Sequence, residues 1–553
     1  MVPGLRASGV LNIEPSSAYS GAMTKPSHVE SRFTNVYKTS LVRKVHCFSR
    51  GGESRPGFVT GPKSPHSAVG RGVRIHYTAL YRGPPIGMKS TTSEIPASSL
   101  AESMPLPQEP PGPRGFPLVG CLPLLLRSPM AFFTDVARTY GGIARIPLGR
   151  ETVYLISDPK LLYELLVTNR SKYRKNTRYR HAQELIGQGM LLSEDDTWKR
   201  QRLITQPAFK PASNAEQIEW MAALTSKFLK RWEACAENGE PVDVEPEFNR
   251  LAQLLAGRLA FGPRFEEIAD EFCDLSVRIK SHWPKPPRNL FSLWIRPGAR
   301  KKFERFKTVL RELDDLVARY ISRERLSEFE NSGILSLLVK SSRAEGQEFT
   351  DKELRDQLLT LFFAGHETSA TAMCWIHYFL SKYPDVRAKV REEIERELGN
   401  DTPTFADLEK LHYTEQVVHE SLRIYSPIHS ISRVALEDNC IGGYTIPADA
   451  TIYVSLYATH RLETYWPRPE EFDPERFTSE QWENRPRFAY IPFAAGHRNC
   501  IGGTLAVLEL KMLTAQIAQR FVLDLLPGHP VVPAAGTTMY PRYGMKMVIR
   551  GIR

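Results

Sequence analysis

The sequence has no CxxC pair: its seven cysteines, Cys47, Cys121, Cys235, Cys273, Cys374, Cys440 and Cys500, are scattered along 553 residues. An odd, unpatterned set speaks against a disulfide framework and a structural zinc site, and it fits a reducing compartment. Also missing is any run of 18 apolar residues, so no transmembrane anchor is expected. The nearest candidate, VGCLPLLL (119–126), is short and holds a proline. Acidic residues are scarce at the start. Residues 1 to 105 carry five Glu and no Asp against thirteen Lys and Arg, a net +8, which leaves only +3 of the total +11 for the rest. A near-neutral body removes the main hint of a nucleic-acid partner. What remains, 42% hydrophobic and 24% charged residues, is ordinary for a globular protein.

Residues 1–104 form a basic Ser/Gly/Pro-rich tail without sustained periodicity, expected to be disordered. Its Arg- and Ser-rich, acid-poor composition matches an organelle transit segment; a plain flexible tail, or a true start near Met88 or Met104, matches it too. Residues 105–120, PLPQEPPGPRGFPLVG, read as a proline-stiffened hinge. From residue 121 to 553 the pattern is mostly helical, with strand-like pieces at 152–158, 443–448 and 451–457. The expected fold is mainly α, one domain with small β-sheets.

FAAGHRNCIGG (493–503) is a glycine-interrupted loop running into the helical stretch GTLAVLELKMLTAQIAQRF. A cysteine just before a helix N-terminus meets free N–H groups and the positive dipole end, which favour thiolate. Arg498 adds a cation suited to a carboxylate. Cys500 thus reads as a soft metal ligand, against the alternative of a structural cysteine beside a turn. LLTLFFAGHETSATAMCWIHYFL (358–380) is apolar on nearly all sides, yet holds Glu367, Thr368 and Ser369 at its middle. Buried polarity is costly unless bonded or used. Ala364 and Gly365 allow a local opening of the helix, and Thr368 can bond to a carbonyl one turn back; a kinked core helix with a satisfied hydroxyl is the plainer reading.

The cysteine stretch matches F-x-x-G-x-R-x-C-x-G through Phe493, Gly496, Arg498, Cys500 and Gly502, the haem-binding signature of the cytochrome P-450 family. Chance gives such a match at about 10⁻⁴ per chain of this length. AGHETS (364–369) resembles the family's oxygen-binding helix. Glu420 and Arg423 in HESLRIYSP (419–427), with Arg476 in FDPERF (472–477), match its Glu-x-x-Arg and meander arginine. Trp198 and Arg202 match its W-x-x-x-R. The resemblance covers roughly residues 106 to 553. It implies haem b with Cys500 as axial thiolate, Phe493 packed beside it, and Trp198, Arg202, Arg433 and Arg498 toward the propionates. It also implies proton relay by Glu367 and Thr368, and a buried Glu420–Arg423–Arg476 lock. By position, Phe363, Ala364, Thr368, Ile428, Ile431 and Met539 line the substrate pocket.

The activity so implied is mono-oxygenation, by hydroxylation or epoxidation, of a small apolar compound: a fatty acid, a terpenoid or a polyketide-like secondary metabolite. The reaction uses O2 and electrons from a separate ferredoxin, flavodoxin or reductase, since no flavin domain follows Cys500. Lys199, Arg200, Arg485, Arg487 and Lys511 are candidates for receiving that partner. The segment 283–303 reads as an access lid or a packed loop. A haem-thiolate isomerase, dehydratase or peroxygenase and a haem sensor are the rival classes; the former often lack the acid–alcohol pair. Unlike microsomal members, the chain shows no membrane anchor, so a bacterial cytoplasmic enzyme is expected, with organelle targeting through the tail as the alternative.

Overall fold

The computed structural model describes residues 108–176, 182–283, 297–326, 333–344, 346 and 348–551. The tail 1–104, and residues 284–296 of the expected lid, lie outside them.

Helices dominate, as expected. Those that position the site are α1 (Leu122–Arg127), α2 (Asp195–Thr205), α3 (Val244–Phe261), α4 (Ala269–His282), α5 (Asp351–Lys382), α6 (His412–Ile424) and α7 (Gly503–Arg520). α5 begins at a capping box. Thr350 Oγ1 accepts the Glu353 N–H at 3.2 Å, and Glu353 Oε2 accepts the Thr350 N–H at 2.9 Å. It ends at Lys382, where Tyr383 precedes Pro384 and leaves the helical region. Between its ends it buries Leu358, Leu359, Phe362, Met373, Trp375 and Ile376, which join the two largest apolar clusters. Small residues set its distance to α3: a Cβ at Gly365 would stand 3.3 Å from that of Ala256. The helix runs without a break through residues 364–368.

A five-stranded sheet is built from β1 (Ile143–Leu148), β2 (Glu151–Ile156), β3 (Tyr173–Lys175), β4 (Ser430–Ala435) and β5 (Thr451–Ser455), in the order β1-β2-β5-β4-β3. Only β2 and β5 run parallel. The register sets Lys175 opposite Arg433. Three smaller sheets follow, among them Pro241–Asp243 with Phe521–Leu525 and Lys546–Gly551. The strand-like piece at 152–158 forms β2, one residue earlier at its start and two shorter at its end, and the piece at 443–448 forms a strand over Tyr444–Ile446. The third stops at Ser455, whose hydroxyl caps a short helix from Leu456 to Thr459. The proline stretch forms no helix at 109–115, but it lies against β1 and is not a free lead-in: Arg145 N–H donates to Pro111 O at 2.8 Å.

Candidate functional site

The cysteine loop is held by backbone geometry that its glycines permit. Gly496 has φ +75°, and a side chain there would collide with the Leu166 carbonyl. Cys500 N–H donates to Phe493 O at 2.9 Å, folding the loop back on itself. The Phe493 ring lies beside Gly503, the first residue of α7. The Cys500 side chain is exposed, yet protein surrounds it closely enough that burial raises its thiol above the ordinary value. A side chain on the wall of a cleft meets both conditions: it is reachable, but cut off from bulk water. The Gly502 N–H and the charge of Arg202 oppose that rise. The cation beside the sulfur is thus Arg202. The polypeptide alone favours the thiol, and a bound metal would remove the proton. Among the described residues no cluster of three or more His, Cys, Asp or Glu could hold a metal ion. A metal at Cys500 would need its other ligands from a cofactor.

Around the loop stands a crowd of cations. Arg202 is fixed to the loop, Nη1 donating to Asn499 O at 3.1 Å and Nη2 to Asn499 Oδ1 at 3.3 Å. Arg498 lies 4.1 Å over the Trp198 ring. Its Nη2 donates to Ser193 O at 2.8 Å and to Glu194, so part of the group expected for a propionate is held by protein. Its Nη1 is buried and has no partner among the described residues. Arg433 is buried and donates to Ser432 O at 2.9 Å. Lys175, invisible to motif reading, completes the group. Burial, Arg498 and Arg433 push its ammonium down to about 7. Burial and Arg498 likewise push His497 down to about 4. Buried cations that repel one another, with an orphaned guanidinium N–H, form a cradle for an anion. The two carboxylates of haem fit it, with Cys500 alongside.

On α5, Ala364 is exposed and its neighbours Phe363 and Gly365 are half-buried, so this face borders an opening. Thr368 Oγ1 donates to Ala364 O at 2.8 Å, the back-bond expected one turn away. Glu367 Oε1 accepts from Thr538 Oγ1 at 3.3 Å and lies 3.7 Å from Lys280 Nζ on α4. Of the expected pocket residues, Phe363, Ile428 and Ile431 keep some accessible surface. Met539 does not. It is fully buried, with its N–H on Pro427 O and its carbonyl taking the Trp375 indole at 2.7 Å. Apolar alternation along its short strand turns Met539 inward, so it is core and not wall.

The expected lock is present. Arg423 donates to both oxygens of Glu420, Nε at 2.6 Å and Nη2 at 2.7 Å, and both side chains are fully buried. Arg476 Nε lies 3.4 Å from Glu420 Oε1. The remaining N–H groups take carbonyls of the meander: Arg423 on His460, Pro469 and Glu471, Arg476 on Pro467 and Arg468. His460 carries the lock to the cysteine loop. Burial and Arg423 push it down to about 3. Neutral, it donates from Nδ1 to Arg423 O and accepts Ile491 N–H at Nε2, two residues before Phe493.

One of the basic residues read as a partner surface is buried, and another is half-buried. Lys511 is 3% exposed and pairs with Glu415 at 2.7 Å. Arg485 stacks 3.9 Å over Trp466. Arg200 pairs with Glu353, and Lys199 with Asp196. Arg487 is exposed.

One further carboxyl escaped sequence reading. Glu509 on α7 is buried and accepts from Ser369 Oγ on α5 at 3.2 Å, tying the helix after the cysteine to the helix of Thr368. Burial raises it to about 7. Its folded pKa therefore lies above its unfolded one. The stability it contributes is full below the unfolded value and is lost as pH rises through the folded one. Between pH ~5 and ~8 the protein should lose about 1–3 kcal/mol of stability relative to Glu509→Gln, which cannot ionise. Melting curves of the two proteins across that range check this; parallel pH profiles would contradict it.

The comparisons agree with the geometry. A family profile described as Cytochrome P450 matches residues 110–546. Protein LUTEIN DEFICIENT 5, chloroplastic, of Arabidopsis thaliana is 31% identical over 450 residues, covering 76% of this chain and 74% of that protein. Cyclooctat-9-en-7-ol 5-monooxygenase of Streptomyces melanosporofaciens is 31% identical over 421 residues, covering 75% and 90%. The crystal structure of the cytochrome P450DA heme domain superposes with a TM-score of 0.72 at 26% identity, covering 81% of this chain and 98% of that one. With the profile spanning most of the chain and the site carrying a cysteine beside an anion cradle, the chain belongs to the cytochrome P450 family and is a haem-thiolate mono-oxygenase.

Proposed function

We propose that the chain inserts one atom of dioxygen into an apolar organic substrate, by hydroxylation or epoxidation, with Cys500 as the thiolate ligand and electrons from a separate donor. The observation that carries this reading is the polar turn Glu367–Thr368 on the open face of an otherwise buried helix. Haem, when bound, supplies the oxygen activation, and thiolate donation favours O–O cleavage. The residues of this chain do the rest. Thr368 parks its hydroxyl proton on Ala364 O and can turn it toward the opening. Glu367 receives protons from the direction of Lys280, which is 60% exposed at its side chain and so meets solvent. Phe363, Ala364, Ile428 and Ile431 offer apolar contact that orients substrate and excludes water. Arg498, Arg433, Arg202, Trp198 and Lys175 would hold the propionates of a bound haem.

The relatives support the reaction type and leave the compound wide. One is named for mono-oxygenation of cyclooctat-9-en-7-ol, another is an Arabidopsis cytokinin hydroxylase. A terpenoid or similar secondary metabolite is the substrate class we favour within the apolar range. Bacterial and organellar sources both have a precedent among the relatives. No described helix is long and apolar enough to cross a membrane.

The test is Thr368→Ala. Haem content and thiolate ligation should stay. Product per NADPH should fall roughly 10-fold or more, with hydrogen peroxide in its place, and added peroxide should partly restore turnover. Product, peroxide and NADPH are measured in one reaction. Unchanged coupling would remove the pair from proton delivery. Turnover independent of NADPH would favour an isomerase or dehydratase.

A further inference from the structure

We propose that Thr538 is a positioning residue for the reaction: its buried hydroxyl holds the Glu367 carboxylate in the orientation from which that carboxylate serves the opening beside Thr368. The inference rests on the proton-delivery reading of Glu367 and Thr368, and it names what keeps that acid in place.

A glutamate on a helix has several side-chain torsions to fix, and a proton passes only across hydrogen-bonding distance. Glu367 is 23% exposed at its side chain, so packing alone does not settle its rotamer. Lys280 is a poor anchor for it. The ammonium stands 3.7 Å from Oε1 on a side chain that is 60% exposed. It also acts on Glu245 of α3, whose carboxyl is pushed up by burial, pulled down by Lys280, and pushed up again by Asp243 and Glu367. An exposed lysine on a flexible stem that serves two carboxylates fixes neither.

Thr538 is the opposite kind of neighbour. It is buried, and its Oγ1 donates to Glu367 Oε1 at 3.3 Å. Bonds of that length in catalytic sites tighten as the reacting groups come together. The backbone of Thr538 is held on both sides. Its carbonyl accepts the Gly536 N–H at 2.9 Å, within the hairpin that pairs Pro533–Ala535 with Met539–Pro541. Gly536 O accepts from His429 Nε2 at 3.3 Å, and Met539 N–H donates to Pro427 O at 2.8 Å. On the α5 side, Trp375 Nε1 donates to Met539 O at 2.7 Å and Thr371 Oγ1 to Thr538 Oγ1 at 3.4 Å. Positions 367, 371 and 375 follow one another at i, i+4 and i+8, so they share one face of the helix. The hairpin is zipped along that face, and the last contact of the row is the relay acid. Both contacts of Glu367 fall on Oε1, which leaves Oε2 to exchange a proton. Without the hydroxyl, the carboxylate is free to follow Lys280 toward solvent.

Thr538→Val keeps the shape of the side chain and removes the hydroxyl; Thr538→Ser keeps the hydroxyl. Carbon monoxide on the dithionite-reduced holoenzyme is the probe, because its infrared stretching band reads the polar groups around it and needs neither substrate nor reductase. Wild type and Thr538→Ser should give one narrow band. Thr538→Val should give a shifted or split band, as Glu367 spreads over several rotamers. In the assay of product, peroxide and NADPH, Thr538→Val should form about 3- to 10-fold less product per NADPH with KM unchanged, and Thr538→Ser should stay within about 2-fold of wild type. Thr371→Val removes the neighbouring hydroxyl and leaves the Thr538–Glu367 bond, so it should keep both the band and the coupling whatever its melting temperature. A wild-type band in Thr538→Val would overturn the proposal, as would equal losses in Thr538→Ser or in Thr371→Val. Uncoupling in Thr368→Ala beside wild-type coupling in Thr538→Val removes Thr538 alone. Wild-type coupling in both removes it together with the proton-delivery reading.

Discussion

Arg423→Ala is expected to give protein that accumulates poorly, melts early and holds little haem. The substitution leaves the Glu420 carboxylate buried with only Arg476 at 3.4 Å and the Asp473 N–H at 3.0 Å. It also strips partners from the carbonyls of His460, Pro469 and Glu471. Breaking a buried pair costs about 3–5 kcal/mol, a large fraction of a domain's stability. The loss reaches the haem side because the Arg423 carbonyl holds His460, which holds the Ile491 N–H at the base of the cysteine loop. Arg423→Lys should fail in the same direction, since an ammonium cannot grip both carboxylate oxygens and three carbonyls at once. Haem content per chain and the melting temperature are the measurements. A haem-replete variant melting with wild type would reduce the pair to packing.

The parts of this site that could be read from sequence are those whose chemistry fixes a local spacing. The loop around Cys500 is one: glycines, arginine and cysteine lie within eleven residues, and the structure closes them by a bond from Cys500 to Phe493. The Glu420–Arg423 pair is another, three residues apart on one helix. Thr368 and its carbonyl acceptor lie one turn apart.

What was missed depends on partners distant in the chain. Lys175 gains its meaning from Arg433 across the β3–β4 ladder and from Arg498, hundreds of residues on. Its own segment shows only one more lysine among basic neighbours. His460 matters because it bridges Arg423 and Ile491. Glu509 sits amid an apolar helix, a signal as strong as that of Thr368, but its partner Ser369 is 140 positions away. Lys511 misled for the opposite reason. A lysine reads as surface, yet Leu510, Met512 and Leu513 around it are buried, and Glu415 from another helix compensates its charge. Met539 was read by position along the chain, where strand alternation decides its direction.

Cys500→His should abolish the spectral mark of thiolate ligation. Thiolate donation red-shifts the Soret band of the reduced carbon monoxide complex, and imidazole lacks that donation. The variant keeps the cradle of Arg498, Arg433, Arg202 and Lys175, so any haem it retains should show the shorter-wavelength band of nitrogen ligation. Cys121, Cys273 and Cys374 are buried elsewhere, and burial raises each of their thiols, so none is poised to substitute. The difference spectrum of dithionite-reduced protein with and without carbon monoxide, recorded for wild type and Cys500→His, tests the central claim most directly. The account predicts the long-wavelength band in the first and its absence in the second. Wild-type protein without that band, or a variant that keeps it, would contradict the account.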